Sequence, residues 1–241
     1  MSGKSDLRHA TNVTNFEIFV DSCKAIGPAL YKPTRLNLKL ESLLPTLERA
    51  KACLADFDQG HVGLKKAMEA QDVVFGDFEA KIGRIKDALP AVDEHGSSLL
   101  RKLQGAHAEA TVKTDAPKAA KPAAAPEANL HHTVAHTTLK PVVDNTKALL
   151  QVVRSTPGYA PQDQDLAIEA LETWLASLVA AVDAVAKANA TQDHARDVRQ
   201  EVLYMPHSGI VDLAIDGKSY VKSLKGAPDA EARKISKLDF H

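Results

Sequence analysis

Aromatic residues are scarce in this sequence. One Trp, four Tyr and six Phe make up 5% of the 241 residues, and none of them lies between Phe78 and Tyr159. A β-sandwich or a β-barrel uses more aromatic and β-branched side chains than this to cover its sheets. Apolar residues nevertheless reach 44% of the chain, which is enough to bury a core. The composition therefore favours a folded protein of the all-α class.

Long hydrophobic runs and an excess of charge of one sign are also missing. The N-terminal 20 residues carry charged and polar side chains where a signal peptide requires an apolar run. The most apolar stretch, 174–186, is interrupted by Asp183 and followed by Lys187, so it is too short and too charged to span a bilayer. The 30 basic residues are balanced by 31 acidic ones, which disfavours a nucleic-acid binder. We therefore expect a cytoplasmic protein with no membrane span.

Signatures of catalysis and of cofactor binding are absent from the sequence. The 12 glycines form no phosphate-binding loop, and no nucleophile elbow or HExxH motif occurs. His132 and His136 would lie one turn apart on a helix and are the candidate metal ligands, but no third ligand is near them in sequence. Cys23 and Cys53 are expected to be small buried side chains. The sequence predicts no enzyme, no cofactor and no functional metal site.

Three blocks of sequence occur twice, in the same order. They pair 19–26 with 142–149, 31–54 with 159–182, and 98–105 with 219–226, at shifts of 123, 128 and 121 residues. The middle block is identical at seven of its 24 positions. Three blocks in one order indicate a tandem duplication, and the change of shift places about five extra residues before Tyr159.

A segment of different composition separates the two copies. Residues 111–128 contain seven Ala, three Pro and three Lys, with Val112 as the one large aliphatic side chain. Proline spacing of this kind prevents a stable helix and favours extended, solvated backbone. We therefore expect helical repeat A over 1–105, an irregular Ala/Pro/Lys-rich linker over 106–137, and helical repeat B over 138–241.

Each copy is expected to contain one long helix. Residues 162–205 contain neither Gly nor Pro, and apolar side chains recur there every three or four residues. At 1.5 Å per residue this helix would be about 66 Å long, so we expect an elongated molecule. The stretch around Asn189 has only alanines as apolar residues, which leaves open a fold-back into a hairpin.

The first copy is less favourable to a continuous helix. Pro45 falls inside the matching segment, and Gly60 and Gly63 stand where the second copy has Ala188 and Thr191. Because both glycine and proline weaken a helix interior, we expect a kinked or broken helix there. The prediction is thus all-α: two tandem, similar helical bundles with long amphipathic helices.

A Tyr-x-Pro corner precedes the long helix in both copies. Tyr31 with Pro33 matches Tyr159 with Pro161. We expect a structural role, in which the ring packs over the turn, the proline fixes φ, and the hydroxyl bonds to the backbone.

The duplicated layout resembles a family of bacterial helical proteins that has no known activity. The resemblance is carried by residues 16–33, by the Ala/Pro/Lys segment, and by residues 149–174 and 202–227 in the second half. It covers nearly the whole chain and implies an all-α duplicated bundle. No functional residue follows from it.

These observations favour a non-enzymatic structural or protein-interaction protein, whose partner is a second copy of itself or another protein. One alternative is a membrane-active, pore-former-like protein, because LASLVAAVDAVAKA at 175–188 is alanine- and valine-rich. Another is a weak nucleic-acid binder that uses the basic residues between Lys218 and Lys237. Acidic residues at 229, 231 and 239 dilute that basic patch, so we expect no nucleic acid as partner.

Overall fold

A computed structural model of the chain describes residues 4–89, 96–103, 130–226 and 228–240. The side chains of residues 4–6 and 130–138 fall outside that description. The helices are α1 (Lys4–Ile26), α2 (Leu40–Phe75), α3 (Phe78–Ala88), α4 (residues 96–103), α5 (Leu130–Ser155), α6 (Ile168–Tyr204), α7 (Ile210–Ser223) and α8 (Asp229–Ser236). Within the described ranges the regular structure is helical throughout, which confirms the all-α prediction there.

The long helix of the first copy is continuous. α2 runs for 36 residues through Gly60 and Gly63, so the break expected at these glycines is wrong. Gly60 has a packing reason to be glycine, because a Cβ there would lie 3.3 Å from the backbone Cα of Gln192 on α6. Pro45 is the sixth residue of α2, past the first-turn positions whose N–H groups lack intrahelical partners, so the helix continues although one of its hydrogen bonds is missing there. Tertiary contact therefore overrides the weak local helix propensity.

The long helix of the second copy is also continuous. α6 runs for 37 residues and passes through Asn189 without folding back. It begins 128 residues after α2, which is the shift of the middle sequence block. The five extra residues of the second copy are absorbed by the preceding helix, because α5 continues to Ser155 whereas α1 ends at Ile26.

Two compact units divide the chain, and neither coincides with one copy. Unit 1 comprises Met1–Gly63 and Ala190–His241, and unit 2 comprises Leu64–Asn189. Unit 1 therefore joins the beginning of the first copy to the end of the second, while unit 2 joins the remaining parts. The expected arrangement of two tandem bundles, one from 1–105 and one from 138–241, is not confirmed, because each unit takes helices from both copies.

Each unit has its own apolar core. In unit 1, α1 packs against α7 and α8. The fully buried side chains there include Phe16, Phe19, Leu43, Leu203 and Ile210. In unit 2 they include Phe75, Phe78, Leu149, Leu171 and Leu178. Both cores thus combine residues that are more than 100 positions apart in sequence.

The third matched block does not hold as a structural correspondence. Residues 98–103 lie on α4, whereas residues 219–223 lie on α7. α7 corresponds instead to α3 at a shift of 132, because each follows a long helix and four of the five buried positions of α7 coincide with buried positions of the first copy. The coinciding pairs are Phe78 with Ile210, Ile82 with Ala214, Ile85 with Gly217, and Leu89 with Val221.

Part of the segment expected to be an irregular linker is helical. α5 begins at Leu130, so residues 130–137 are helical rather than irregular. Residues 104–129, which hold the three linker prolines, lie outside the described residues.

Candidate functional site

The two Tyr-x-Pro corners have the same local geometry. The hydroxyl of Tyr31 donates to the carbonyl of Leu38 at 2.9 Å, and that of Tyr159 donates to the carbonyl of Leu166 at 2.8 Å. In each corner the tyrosine and the proline two residues later lie outside regular secondary structure, and a 3-10 turn then leads into the long helix. Leu36–Leu38 and Gln164–Leu166 form these turns.

The tyrosine of the unit 1 corner is deeply buried. Its ring meets that of Tyr220 on α7 with centroids 5.5 Å apart, and the Tyr220 hydroxyl accepts from the backbone N–H of Lys32. Burial raises the pKa of Tyr31 above its usual range. The corner of the first copy is thereby fixed against a helix of the second copy.

An ion pair also fastens each corner, and its polarity is reversed between the units. In unit 1, Arg35 of the corner pairs with Asp216 of α7 at 2.5 Å. In unit 2, Asp163 of the corner pairs with Arg84 of α3 at 2.9 Å. Arg35 and Asp163 are equivalent at the 128 shift, and Asp216 and Arg84 at the 132 shift. Each corner therefore docks on the helix that follows the long helix of the other copy.

A groove lies beside the corner of unit 1. Its volume is about 230 Å³, and it is bordered by α2, the C-terminal end of α6, and the turn that follows α6. Its apolar lining comes from Val202, Met205 and Leu213. Its polar lining comes from Asn37, Ser42, Thr46, Ser208 and the Arg49–Glu201 ion pair, whose charged atoms lie 3.1 Å apart. We call this cavity the Thr46 groove.

The turn between α6 and α7 forms one wall of the Thr46 groove and is held in an unusual conformation. His207 has φ +64°, a region that non-glycine residues rarely adopt. Its carbonyl accepts from the side-chain amide of Asn37 at 3.1 Å, and its N–H donates to Asp212 at 2.8 Å. Strained backbone fixed by such contacts occurs preferentially beside binding sites.

A second polar cluster in unit 1 joins α1 to the end of α6. The Nδ1 atom of His9 and the hydroxyl of Tyr204 lie 2.7 Å apart in a hydrogen bond, and the Asn12 side-chain amide donates to the same hydroxyl at 3.2 Å. Burial raises the pKa of Tyr204. These groups satisfy one another between two helices, an arrangement that fixes α1 in place.

Both cysteines are buried, as the sequence predicted. Cys23 is fully buried, and burial raises the pKa of its thiol to about 12, against a smaller lowering by a hydrogen bond with Tyr31. Burial also raises the pKa of Cys53. Since the thiolate is the reactive form, neither thiol is poised as a nucleophile at neutral pH.

The candidate metal ligands His132 and His136 fall on α5, but their side chains lie outside the described residues. Among the side chains that the structure does describe, no group of three His, Cys, Asp or Glu residues is placed to hold a metal ion.

The basic patch near the C-terminus is partly engaged within unit 1. Lys218 donates to the backbone carbonyl of Leu238, and Lys234 lies 4.0 Å from Glu231. None of the helices in the described ranges combines the length and the apolar character of a membrane span.

Sequence reasoning missed the Thr46 groove and the His9–Tyr204 cluster. The sequence did contain an indication of the groove, because the middle sequence block aligns Thr46 with Trp174, the bulkiest side chain of the protein.

No protein-family model matches the chain, and no curated protein or solved structure matches it, so the resemblance to duplicated bacterial helical proteins stays a prediction.

Proposed function

We propose that this protein is a non-enzymatic helical scaffold that acts through contacts with other polypeptides, either a second copy of itself or another protein. The observation that carries the proposal is the exchange of helices between the two copies. Unit 1 and unit 2 are each completed by helices that lie more than 100 residues away in the chain. Contacts of this kind are those of a helix-exchanged dimer whose two subunits have been joined into one chain.

The chemistry of the described side chains agrees with this role. The hydroxyls of Tyr31 and Tyr159 are used by the corners themselves, and burial suppresses the reactivity of Cys23. Apolar side chains, by contrast, are presented outward on ordered elements. Leu36 is 70% exposed on a 3-10 turn, and Met205 is 49% exposed at the end of α6. Surface of this kind is suited to recognition of another polypeptide.

Light scattering coupled to size exclusion tests the self-associating form of the proposal on the full chain. Between about 1 and 100 µM, mass action requires the average mass of a self-associating protein to rise above 25.9 kDa. A mass that stays at 25.9 kDa over this range contradicts self-association and leaves another protein as the partner. Turnover of small molecules at a site within either unit would contradict the proposal as a whole.

A further inference from the structure

The Thr46 groove has a counterpart in unit 2 that is filled from within the chain. Thr46 corresponds to Trp174 at the 128 shift, and Leu213, which lines the groove, corresponds to Lys81 at the 132 shift. In unit 2 the Trp174 ring lies 5.6 Å from the ring of Phe78, and the Lys81 ammonium lies over its face at 5.4 Å. An aromatic ring therefore occupies the position that is open in unit 1.

The contacts of Trp174 show which chemistry this position accepts. The side chain is only 8% exposed, and its indole nitrogen has no hydrogen-bond partner in the described part of the chain. The ring is held by packing and by a cation over its face rather than by its N–H group. In unit 1 three apolar side chains of the groove, Val202, Met205 and Leu213, can pack against such a ring. The other lining side chains are polar, and Arg49 among them can supply a cation, although it is not the positional equivalent of Lys81.

We propose that the Thr46 groove binds one aromatic side chain, such as tryptophan, presented by a partner polypeptide. This inference rests on the proposed function, because it names the chemistry by which the scaffold recognises a partner. The volume of about 230 Å³ decides between a side chain and a larger ligand. Sites for drug-sized molecules and cofactors begin at roughly 300 Å³, whereas a buried tryptophan anchor needs a single pocket of smaller size.

The anchor must come from a different protein. The residues outside the described ranges include no Trp, Tyr or Phe, so no such segment of this chain fills the groove with an aromatic ring. A second copy does not supply one either, because all 11 aromatic side chains of the chain are described and each is buried or half-buried. The wall formed by the turn at His207 is already fixed, so binding requires little ordering of the groove.

A methyl NMR titration of the full chain tests the proposal. The protein has three methionines, of which Met205 lines the groove and Met68 lies on α2 within unit 2. With methyl-labelled methionine, N-acetyl-tryptophanamide and the peptide Gly-Gly-Trp-Gly-Gly are added in turn, and N-acetyl-leucinamide is the control probe. We expect the Met205 signal to shift saturably with both tryptophan probes, with half-saturation at about 1 mM, the strength that a single aromatic anchor supports. The Met68 signal should not move.

Thr46→Trp supplies from within the chain the ring that the groove lacks. The Met205 signal of this variant should lie near the position that the natural protein reaches at saturation, and the affinity for the probes should fall at least tenfold. Glu48→Trp is the matched control, because it adds the same ring to an exposed position on the same helix and should leave the titration unchanged. Thr46→Leu, which fills the groove with a smaller side chain, should weaken binding at least threefold. It replaces Thr46→Trp as the test if circular dichroism shows that Thr46→Trp does not fold.

The proposal would be overturned by the absence of a Met205 shift at 10 mM probe, by a shift that Thr46→Trp and Thr46→Leu both retain, or by equal shifts with N-acetyl-leucinamide. Free indole that binds more tightly than the peptide would assign the groove to a small aromatic molecule and would also overturn it. The proposed function has a separate readout. If the protein self-associates in light scattering but its Met205 signal does not shift, the scaffold proposal stands and the aromatic-anchor proposal is refuted. If the protein stays monomeric and binds the peptide, both proposals stand.

Discussion

Substitution of Gly60 and Gly63 by alanine tests how closely α2 and α6 approach each other within unit 1. Both glycines lie in the interior of α2, three residues apart. A Cβ at Gly60 would lie 3.3 Å from Cα of Gln192, whereas a Cβ at Gly63 would have no neighbouring atom within 4 Å. The two substitutions therefore make the same change in helix propensity and differ in what the new methyl group meets.

The expected magnitudes follow from these distances. Alanine is favoured over glycine by about 1 kcal/mol in a helix interior, and Gly63→Ala should gain that amount in full. Gly60→Ala gains the same propensity, but the new methyl group displaces the backbone of a packed helix. Overpacking of this kind costs about 1–3 kcal/mol, so the net effect should lie between neutral and a loss of about 2 kcal/mol.

Urea unfolding followed by circular dichroism measures both variants. We expect Gly63→Ala to be the more stable by about 1–3 kcal/mol, the difference attributable to the methyl contact. Gly83→Ala on α3 is a control, because a Cβ there also meets no atom within 4 Å, and it should stabilise as Gly63→Ala does. If Gly60→Ala stabilised the protein as much as Gly63→Ala, the close approach of the two helices would be refuted.

Three further outcomes are expected. The free energy of unfolding should fall as the pH rises above 9, because the unfolded Cys23 thiol ionises near its ordinary pKa of 9.0 while the folded one holds its proton to about 12. Denaturant titrations at pH 8 and 11 should show this loss, and Cys23→Ala should reduce it. Gly217→Ala should cost about 1–3 kcal/mol in the same assay, since a Cβ there would overlap the buried Phe19 ring; a stable variant would contradict that contact. Leu171→Ala should cost about 2–5 kcal/mol as a core cavity, and half-buried Leu175→Ala clearly less, with equal losses arguing against the observed burial.

Local structure could be predicted where the sequence carries a local cause. The corners at Tyr31 and Tyr159 recur at a constant shift because tyrosine, proline and the apolar residues after them act over a dozen positions. The long helix of the second copy was expected from residue 162, whereas α6 begins at Ile168, because the 3-10 turn Gln164–Leu166 lies between the corner and the helix. The continuity of α2 could not be predicted, because the reason for Gly60 is a neighbour 132 positions away on α6.

The exchange of helices between the two copies could not be predicted from the sequence for a similar reason. A repeat in sequence shows that two segments are alike, but not which of them pack together. α3 and α7 share only Lys86 and Lys218 as identical residues over 78–89 and 210–221, so their correspondence appears only in burial and in the reversed ion pairs. The Thr46 groove could have been predicted from the sequence, because the aligned position holds the largest side chain, Trp174, in one copy and a small one, Thr46, in the other.

The reversed polarity of the corner ion pairs favours one assembly over its alternative. If each copy had folded on itself, Arg35 would face Arg84 and Asp163 would face Asp216, setting like charges against each other at both corners. The exchanged arrangement sets opposite charges together at both. Charge thus acts together with packing, because the equivalent buried positions Ile85 and Gly217 differ widely in volume and only Gly217 leaves room for the Phe19 ring. In the double variant Arg35→Asp with Asp216→Arg both corners become alike and both pairs keep opposite charges. We therefore expect single-phase refolding and a change of less than about 1 kcal/mol in the free energy of unfolding; a second refolding phase would show that charge alone decides the pairing.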